Sequence, residues 1–258
     1  MFLSIIIPAY NESNRINKTV NELIDYFDNK KYKWEIIVVD DGSIDETRNE
    51  VSKIVKSDNR VKLIISKKNF GKGDAVGKGM LEANGEWRFL CDADLSMPIG
   101  NIERFISYTN KYDLIIGSRE VIGSNRYDEP FYRHLYGKLF NIFVKILIFS
   151  EIQDTQCGFK LFRGKAAENI FSKQLIRGFA FDVESIFIAK QLNYSICETG
   201  IEWHHSKGSK VTLGKGIRAF IEVINIKINH LRGKYNLNKN DCLIVYLFYF
   251  INVYLNIS

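Results

Sequence analysis

Short apolar runs alternate with amphipathic stretches through the first 116 residues of the chain. The apolar runs occupy residues 3–7, 35–39, 61–65, 87–91 and 113–116. They are short and rich in β-branched residues, as buried strands are. Between the first two runs, Ile16, Val20 and Leu23 recur at helical spacing. The alternation predicts five strands joined by helices, and Ser43 with Glu46 forms a capping-box pattern at the start of the second helix.

Strands that are apolar on both faces and joined by helices predict an α/β fold whose parallel sheet is covered on both sides. Right-handed crossovers favour a doubly wound arrangement. Ligands of such folds bind at the carboxyl ends of the strands. The polar residues that follow the predicted strands are Asn11, Asp40, Asp41, Lys68 to Lys72, Asp92, Asp94 and Arg119. We therefore expect these side chains to gather at one edge of the sheet.

The triplet Asp92-Ala93-Asp94 follows the fourth predicted strand directly. Its two carboxylates are hard oxygen ligands of the kind that Mg²⁺ or Mn²⁺ prefers. Lys72 lies between Gly71 and Gly73, where the backbone can approach an anion closely. These residues indicate a site for a metal-bound nucleotide diphosphate, whereas the absence of the G-x-x-x-x-G-K-[ST] order argues against a P-loop.

Beyond Arg119 the chain becomes more apolar and more basic. A helix is predicted at about 134–149, either in the core or at an interface, because it is too short to span a bilayer. A second at about 215–232 is basic and amphipathic, which is typical of a membrane surface or of a solvated face over the core. Residues 242–257 would form a helix of roughly 24 Å, a marginal span for a hydrocarbon core of about 30 Å.

Composition narrows the class of protein. With 258 residues and 46% hydrophobic content, the chain can bury a large core, and its net charge of +6 favours polyanionic partners. The basic residues are dispersed and no zinc-finger, helix-turn-helix or RNA-binding signature is present, so nucleic acid is not an expected partner. Four well-separated cysteines and an amino terminus without a positive n-region favour a cytosolic setting.

Several stretches together resemble glycosyltransferase family 2 with the GT-A fold, most closely its dolichyl-phosphate β-glucosyltransferase branch. The stretches are residues 8–12 (PAYNE), 38–43 (VVDDGS), 69–73 (NFGKG), 92–94 (DAD), 154–162 (DTQCGFKLF), 179–184 (FAFDVE) and 208–211 (GSKV). The resemblance implies a Rossmann-like, mixed but mainly parallel sheet flanked by helices. It places the catalytic domain at residues 1–235, followed by a hydrophobic segment at 236–258.

The resemblance also implies site residues. Those expected around uridine are Pro8, Tyr10, Glu12 and Asp40. The diphosphate is expected at Lys72, and the divalent cation, Mg²⁺ or Mn²⁺, at Asp92 and Asp94 with Ala93 between them. Arg119 and Arg133 match positions that hold the acceptor phosphate, which suits guanidinium groups.

The implied reaction moves glucose from UDP-glucose to dolichyl or polyprenyl phosphate with inversion. A lipid phosphate is already ionised and needs no general base, so Asp182 is interpreted as a positioning residue, with catalytic base as the alternative. The expected location is the cytoplasmic side of a membrane, either peripheral or with one carboxyl-terminal span.

Other functions also fit the sequence. The donor could be GDP-mannose or UDP-GlcNAc, and the acceptor a saccharide. A nucleotidyltransferase, or a non-catalytic membrane protein that binds nucleotide sugars, would fit the same α/β sheet. His204 and His205 lie on a predicted extended segment, where adjacent side chains point to opposite sides, and both are expected to be solvated or packed side chains.

Overall fold

The computed structural model describes residues 1–205 and 213–237, and its main feature is a seven-stranded sheet. The described residues form nine strands, which are β1 (Leu3–Ala9), β2 (Trp34–Asp40), β3 (Val61–Ile65), β4 (Trp87–Leu90), β5 (Leu114–Ser118), β6 (Asn125–Tyr127), β7 (Lys160–Arg163), β8 (Ile196–Gly200) and β9 (Glu202–His204). The large sheet has the order β3-β2-β1-β4-β7-β5-β8, and β6 pairs with β9 in a small second sheet. The five predicted strands are confirmed as β1 to β5.

Eight α-helices connect these strands in the described part of the chain. They are α1 (Ile16–Asp28), α2 (Thr47–Ser57), α3 (Lys72–Glu82), α4 (Ile102–Ser107), α5 (Phe131–Leu147), α6 (Gly164–Phe171), α7 (Phe181–Gln191) and α8 (Leu213–Leu231). The helices α5 and α8 occupy the two stretches for which amphipathic helices are expected.

One strand gives the sheet its mixed character. β7 lies between β4 and β5 and runs antiparallel to both, whereas the other pairings in the large sheet are parallel. The expected mixed, mainly parallel sheet is therefore confirmed. Because β7 runs the opposite way, its first residue, Lys160, pairs with Leu90 of β4 and Ile116 of β5. Lys160 thus lies at the edge where those two strands end.

Alternate side chains of the central strands enter two separate cores. Ile6 and Ile37 pack in one apolar cluster with residues of α3 and α5 to α8. Ile5 and Ile36 pack in the other with residues of α1, α2 and α4. Both faces of the sheet are covered, as the apolar runs predict.

The helices α5 and α8 pack against each other through aromatic rings. The Phe220 ring lies 5.1 Å from that of Phe140 and 5.0 Å from that of Phe143, measured between centroids. Within the described ranges, neither these helices nor any other is both long and apolar enough to cross a membrane. The resemblance stretch at 208–211 lies outside the described residues, and so do residues 238–258 of the hydrophobic segment predicted at 236–258.

Candidate functional site

The turns after β1 and β2 are bonded to each other. Asn11, whose φ is +54°, donates its backbone N–H to the Ser43 hydroxyl at 2.9 Å. Its side-chain oxygen accepts the Ile44 N–H at 2.9 Å. The capping-box prediction is wrong, because Ser43 binds Asn11 and α2 begins only at Thr47, after Glu46, with no side-chain cap.

Asp40 supports this turn from inside the protein. It is fully buried, and its carboxylate accepts the Ser43 N–H at 3.2 Å and the Arg48 Nε–H at 2.6 Å. The residues expected around uridine lie near this turn along the chain. Pro8 pairs with Val39 in the sheet, Tyr10 is half-buried, and Glu12 forms an ion pair with Arg15 at 2.8 Å.

Asp41 fixes the loop that leads to Lys72. Its buried carboxylate accepts the backbone N–H groups of Phe70 at 2.9 Å and Gly71 at 2.8 Å. Gly71 has φ +119°, and a Cβ there would meet the Arg177 carbonyl oxygen at 2.3 Å, so the position requires glycine. The loop ends at Gly71, and α3 begins at the next residue, Lys72.

Lys72 and Asp92 form the centre of the site. The Lys72 ammonium lies 2.7 Å from Asp92 Oδ1, and both side chains are half-buried. Burial acts to lower the pKa of Lys72, but the neighbouring carboxylates of Asp92, Asp182 and Asp94 raise it above its ordinary value. Burial raises the pKa of Asp92, and Lys72 opposes that shift. The Lys72 ammonium therefore lies close enough to three carboxylates to interact with each of them electrostatically.

The Asp92-Ala93-Asp94 turn is held by its surroundings. The buried Thr19 hydroxyl of α1 donates to the Ala93 carbonyl at 2.8 Å, and the Ser96 N–H donates to Asp94 Oδ1 at 3.2 Å. Gly158 packs directly on Asp92, since a Cβ at that glycine would lie 1.9 Å from Asp92 Oδ2. The carboxylate is thus confined between the chain at Gly158 and the ammonium of Lys72.

A buried ion pair lies beside this turn. Lys160 is fully buried, and its ammonium donates to Asp182 and, at 2.6 Å, to the Cys157 carbonyl. Asp182 lies in the first turn of α7, where the helix dipole favours a carboxylate. The interpretation of Asp182 as a positioning residue stays a prediction, and its bond to Lys160 supports that interpretation.

Arg119 is already bound to a carboxylate. Its guanidinium donates to Asp154 through Nε at 2.7 Å and Nη2 at 2.9 Å, and it lies 5.4 Å from the Trp203 ring centroid. Burial acts to raise the pKa of Asp154, but Arg119 and Lys160 lower it below its usual value. The positive charges of Arg119 and Lys160 therefore both favour the ionised form of Asp154. Arg133 lies in the first turn of α5, and its side chain is outside the described part of the structure.

Glu184 serves the scaffold. Its buried carboxylate accepts the Leu175 and Ile176 N–H groups and the Tyr235 hydroxyl, and burial raises its pKa to about 7. The exposed His204 stacks on Tyr127 with ring centroids 4.6 Å apart.

The structure thus brings Lys72, Asp92, Asp94 and Asp182 together, while Asp40 supports the neighbouring turn. Sequence reasoning missed Thr19, Gly158 and Lys160. Gly158 and Lys160 lie inside the stretch at 154–162 that carries the family resemblance, and this resemblance could have pointed to them. Thr19 resembles any other residue on the buried face of a helix and carried no signal.

The residues suit a divalent cation that is shared with a phosphate ligand. No group of three or more His, Cys, Asp or Glu side chains among the described residues is arranged to hold a metal alone. Mg²⁺ is commonly bound through one or two carboxylates together with substrate phosphates. Asp92 and Asp94 supply two such carboxylates, and the Lys72 ammonium shows that a positive charge is accommodated against Asp92.

Comparisons with known proteins agree with this geometry. The family model described as glycosyl transferase family 2 matches residues 4–171. A dolichyl-phosphate beta-glucosyltransferase of Trichomonas vaginalis is 33% identical over 240 residues, which cover 88% of this chain and 73% of that protein. The dolichyl-phosphate beta-glucosyltransferase of Dictyostelium discoideum is 33% identical over 248 residues, with 90% and 76% covered.

A solved structure shares the fold. Glucosyl-3-phosphoglycerate synthase from Mycobacterium tuberculosis, in complex with Mn²⁺, UDP and glucosyl-3-phosphoglycerate, has a TM-score of 0.65 at 15% identity. The match covers 93% of this chain and 81% of that one. At this identity the likeness concerns the fold, which is the expected GT-A arrangement.

Proposed function

The chain belongs to glycosyl transferase family 2, and from this premise we propose that it transfers glucose from UDP-glucose to dolichyl phosphate. The observation that carries the proposal is the pairing of Lys72 with Asp92, two residues before Asp94, at the carboxyl ends of the strands. The choice of glucose and dolichyl phosphate rests on the relatives that are 33% identical over most of the chain.

The donor would bind along the edge of the sheet. Pro8, Tyr10 and Glu12 would surround uridine, and Asp40 would shape that pocket through Ser43. Lys72 would contact the diphosphate, with Mg²⁺ or Mn²⁺ held by Asp92 and Asp94. When bound, the cation would neutralise the negative charge that builds on the β-phosphate as UDP leaves. The solved structure that contains Mn²⁺ and UDP supports this cofactor class.

The chemical step would be a direct displacement. An oxygen of the lipid phosphate bonds to the anomeric carbon while the bond from that carbon to the β-phosphate oxygen breaks, and UDP keeps the electron pair. Attack from the face opposite UDP turns the α-linkage into a β-linkage. The chain would contribute alignment and electrostatic stabilisation.

A lipid phosphate agrees with the state of Asp182. A saccharide hydroxyl needs a base to remove its proton, whereas a phosphate monoester is ionised at neutral pH. Asp182 is nearly fully buried, and its Oδ1 already accepts a hydrogen bond from the Lys160 ammonium. Arg119 and Arg133 would hold the acceptor phosphate. Asp154 fixes the plane of the Arg119 guanidinium through two hydrogen bonds.

We further propose peripheral attachment to a membrane through α5 and α8. Each helix carries a stripe of exposed apolar side chains at spacings of three and four residues. The stripes are Leu135, Leu139, Ile142 and Ile146 on α5, and Ile217, Ile221, Ile224, Ile228 and Leu231 on α8. Exposed basic residues such as Lys138 and Arg218 lie on the same helices. Such helices bind anionic membrane surfaces through apolar burial and charge attraction.

A donor panel tests the proposed function. Purified protein is incubated with dolichyl phosphate, Mg²⁺ or Mn²⁺, and radiolabelled UDP-glucose, UDP-GlcNAc or GDP-mannose in separate reactions. We expect label in the organic phase with UDP-glucose, and its loss in the Asp94→Asn variant. Preferential transfer from another donor contradicts the glucose assignment, and no organic-phase label with any donor contradicts the function.

A further inference from the structure

We infer that Lys72 is an internal counter-ion of Asp92, and that it couples binding of the divalent cation to binding of the donor diphosphate. The inference rests on the proposed function and adds to it a dependence of each ligand on the other. The contacts of Asp92 and the charges around Lys72 support this inference.

Asp92 offers little room for a cation while Lys72 is in place. Gly158 covers the Oδ2 side so closely that a Cβ there would lie 1.9 Å from this oxygen. The Lys72 ammonium lies 2.7 Å from the other oxygen, Oδ1. Only 29% of the Asp92 side chain and 24% of the Lys72 side chain are exposed, so water screens the pair only in part. A cation that binds Asp92 must therefore compete with Lys72.

The charges at the site explain why this competition depends on the diphosphate. Asp92, Asp94 and Asp182 face Lys72, while Lys160 neutralises Asp182 from the buried side. Three carboxylates and two ammonium groups leave one net negative charge. A divalent cation alone reverses that charge and displaces Lys72 from its partner. A diphosphate that arrives with the cation restores a negative balance and offers Lys72 a new anion.

Each ligand is then expected to strengthen the binding of the other, which is the definition of positive coupling between sites. Without Lys72, the cation would meet an unoccupied Asp92 and would depend less on the diphosphate. Lys72 therefore weakens binding of the cation in the empty site, and it strengthens binding of UDP once the cation is bound.

Binding of Mn²⁺, measured on the full chain by the electron paramagnetic resonance signal of free Mn²⁺, tests the inference without reference to turnover. Wild type, Lys72→Met and Lys72→Arg are titrated with Mn²⁺ alone and with UDP present. We expect Lys72→Met to bind Mn²⁺ alone about tenfold more tightly than wild type, with a smaller gain from UDP. Lys72→Arg keeps the positive charge and is expected to resemble wild type.

Lys78→Met is the matched control, because Lys78 lies on the same helix and forms an ion pair with Asp74 at 2.6 Å, which is not a proposed metal ligand. It is expected to bind Mn²⁺ as wild type does. Equal or weaker binding of Mn²⁺ alone by Lys72→Met overturns the inference but leaves the proposed function standing. Failure of wild type to bind Mn²⁺ even with UDP overturns the proposed donor site, and the inference with it.

Discussion

Gly158 lies so close to Asp92 that a larger residue cannot be accommodated unless the carboxylate moves. The three atoms nearest to an added Cβ all belong to Asp92, so the substitution Gly158→Ala acts on that side chain first. A displacement of about 1 Å in a positioning group can cost about a hundredfold in rate. We expect Gly158→Ala to lower glucose transfer by about that factor, measured as initial rate at saturating UDP-glucose.

A control glycine separates this effect from a general cost of alanine. A Cβ at Gly100 would meet no atom within 4 Å, so Gly100→Ala is expected to keep wild-type activity. Wild-type activity in Gly158→Ala would show that the position of Asp92 does not matter for the reaction.

Glu184 gives the molecule a pH-dependent stability. Its pKa rises from 4.5 to about 7 on folding because the carboxyl group is buried. The folded state therefore binds a proton at Glu184 more tightly than the unfolded state does, and this difference stabilises the folded state. The stabilisation is fully present below the unfolded pKa of 4.5, and it is lost as pH rises through about 7. The shift corresponds to roughly 3 kcal/mol.

The variant Glu184→Gln cannot titrate, so it isolates this contribution. Urea unfolding of both proteins at pH 5 and pH 8 should show the variant gaining stability relative to wild type by a few kcal/mol at the higher pH. A difference between the two proteins that does not change with pH would contradict the assignment to Glu184.

At the scale of the elements, apolar runs predicted β1 to β5 well because each strand is buried on both faces. The strand β7 was missed for a physical reason. It is four residues long, with Lys160 at one end and Arg163 at the other, and sequence patterns treat a lysine as exposed. Only the tertiary structure provides Asp182, from α7, as the partner that makes a fully buried lysine acceptable.

The candidate site was also predictable only in part from the sequence. The side chains that follow β1, β2 and β4 were predictable, because strand ends in a parallel sheet share an edge. The bonds of Ser43 to Asn11, and of Arg119 to Asp154, join residues that are 32 and 35 positions apart in the chain. Such partners depend on how the loops fold and have no local sequence pattern.

Glu222 joins α8 to the start of α7. Its carboxylate accepts the Ala180 N–H at 3.0 Å, just before the helix that carries Asp182, and it also packs against Gly178. Glu222→Ala leaves a buried N–H without an acceptor, which costs about 1–3 kcal/mol. We expect urea unfolding to show a loss of that size, and Glu222→Gln, which keeps an acceptor, to lose less. Equal losses in the two variants would contradict this role.

At the scale of the whole molecule, the exposed apolar stripes on α5 and α8 should decide where the protein resides. The double variant Ile142→Glu with Ile221→Glu places charges in both stripes and should sharply reduce co-sedimentation with vesicles that contain anionic lipid. Leu81 of α3 is exposed to 47% but belongs to neither stripe, so Leu81→Glu serves as the control. Unchanged vesicle binding by the double variant would contradict membrane attachment through these helices.

In the proposed reaction, UDP leaves as a lipid phosphate takes the sugar. The most direct measurement quantifies both products when purified protein is given UDP-glucose, dolichyl phosphate and a divalent cation. We expect equal amounts of UDP and β-linked glucosyl phospholipid, formed only when the lipid phosphate is present. Release of pyrophosphate, or of UDP without a glucosylated lipid, would contradict it.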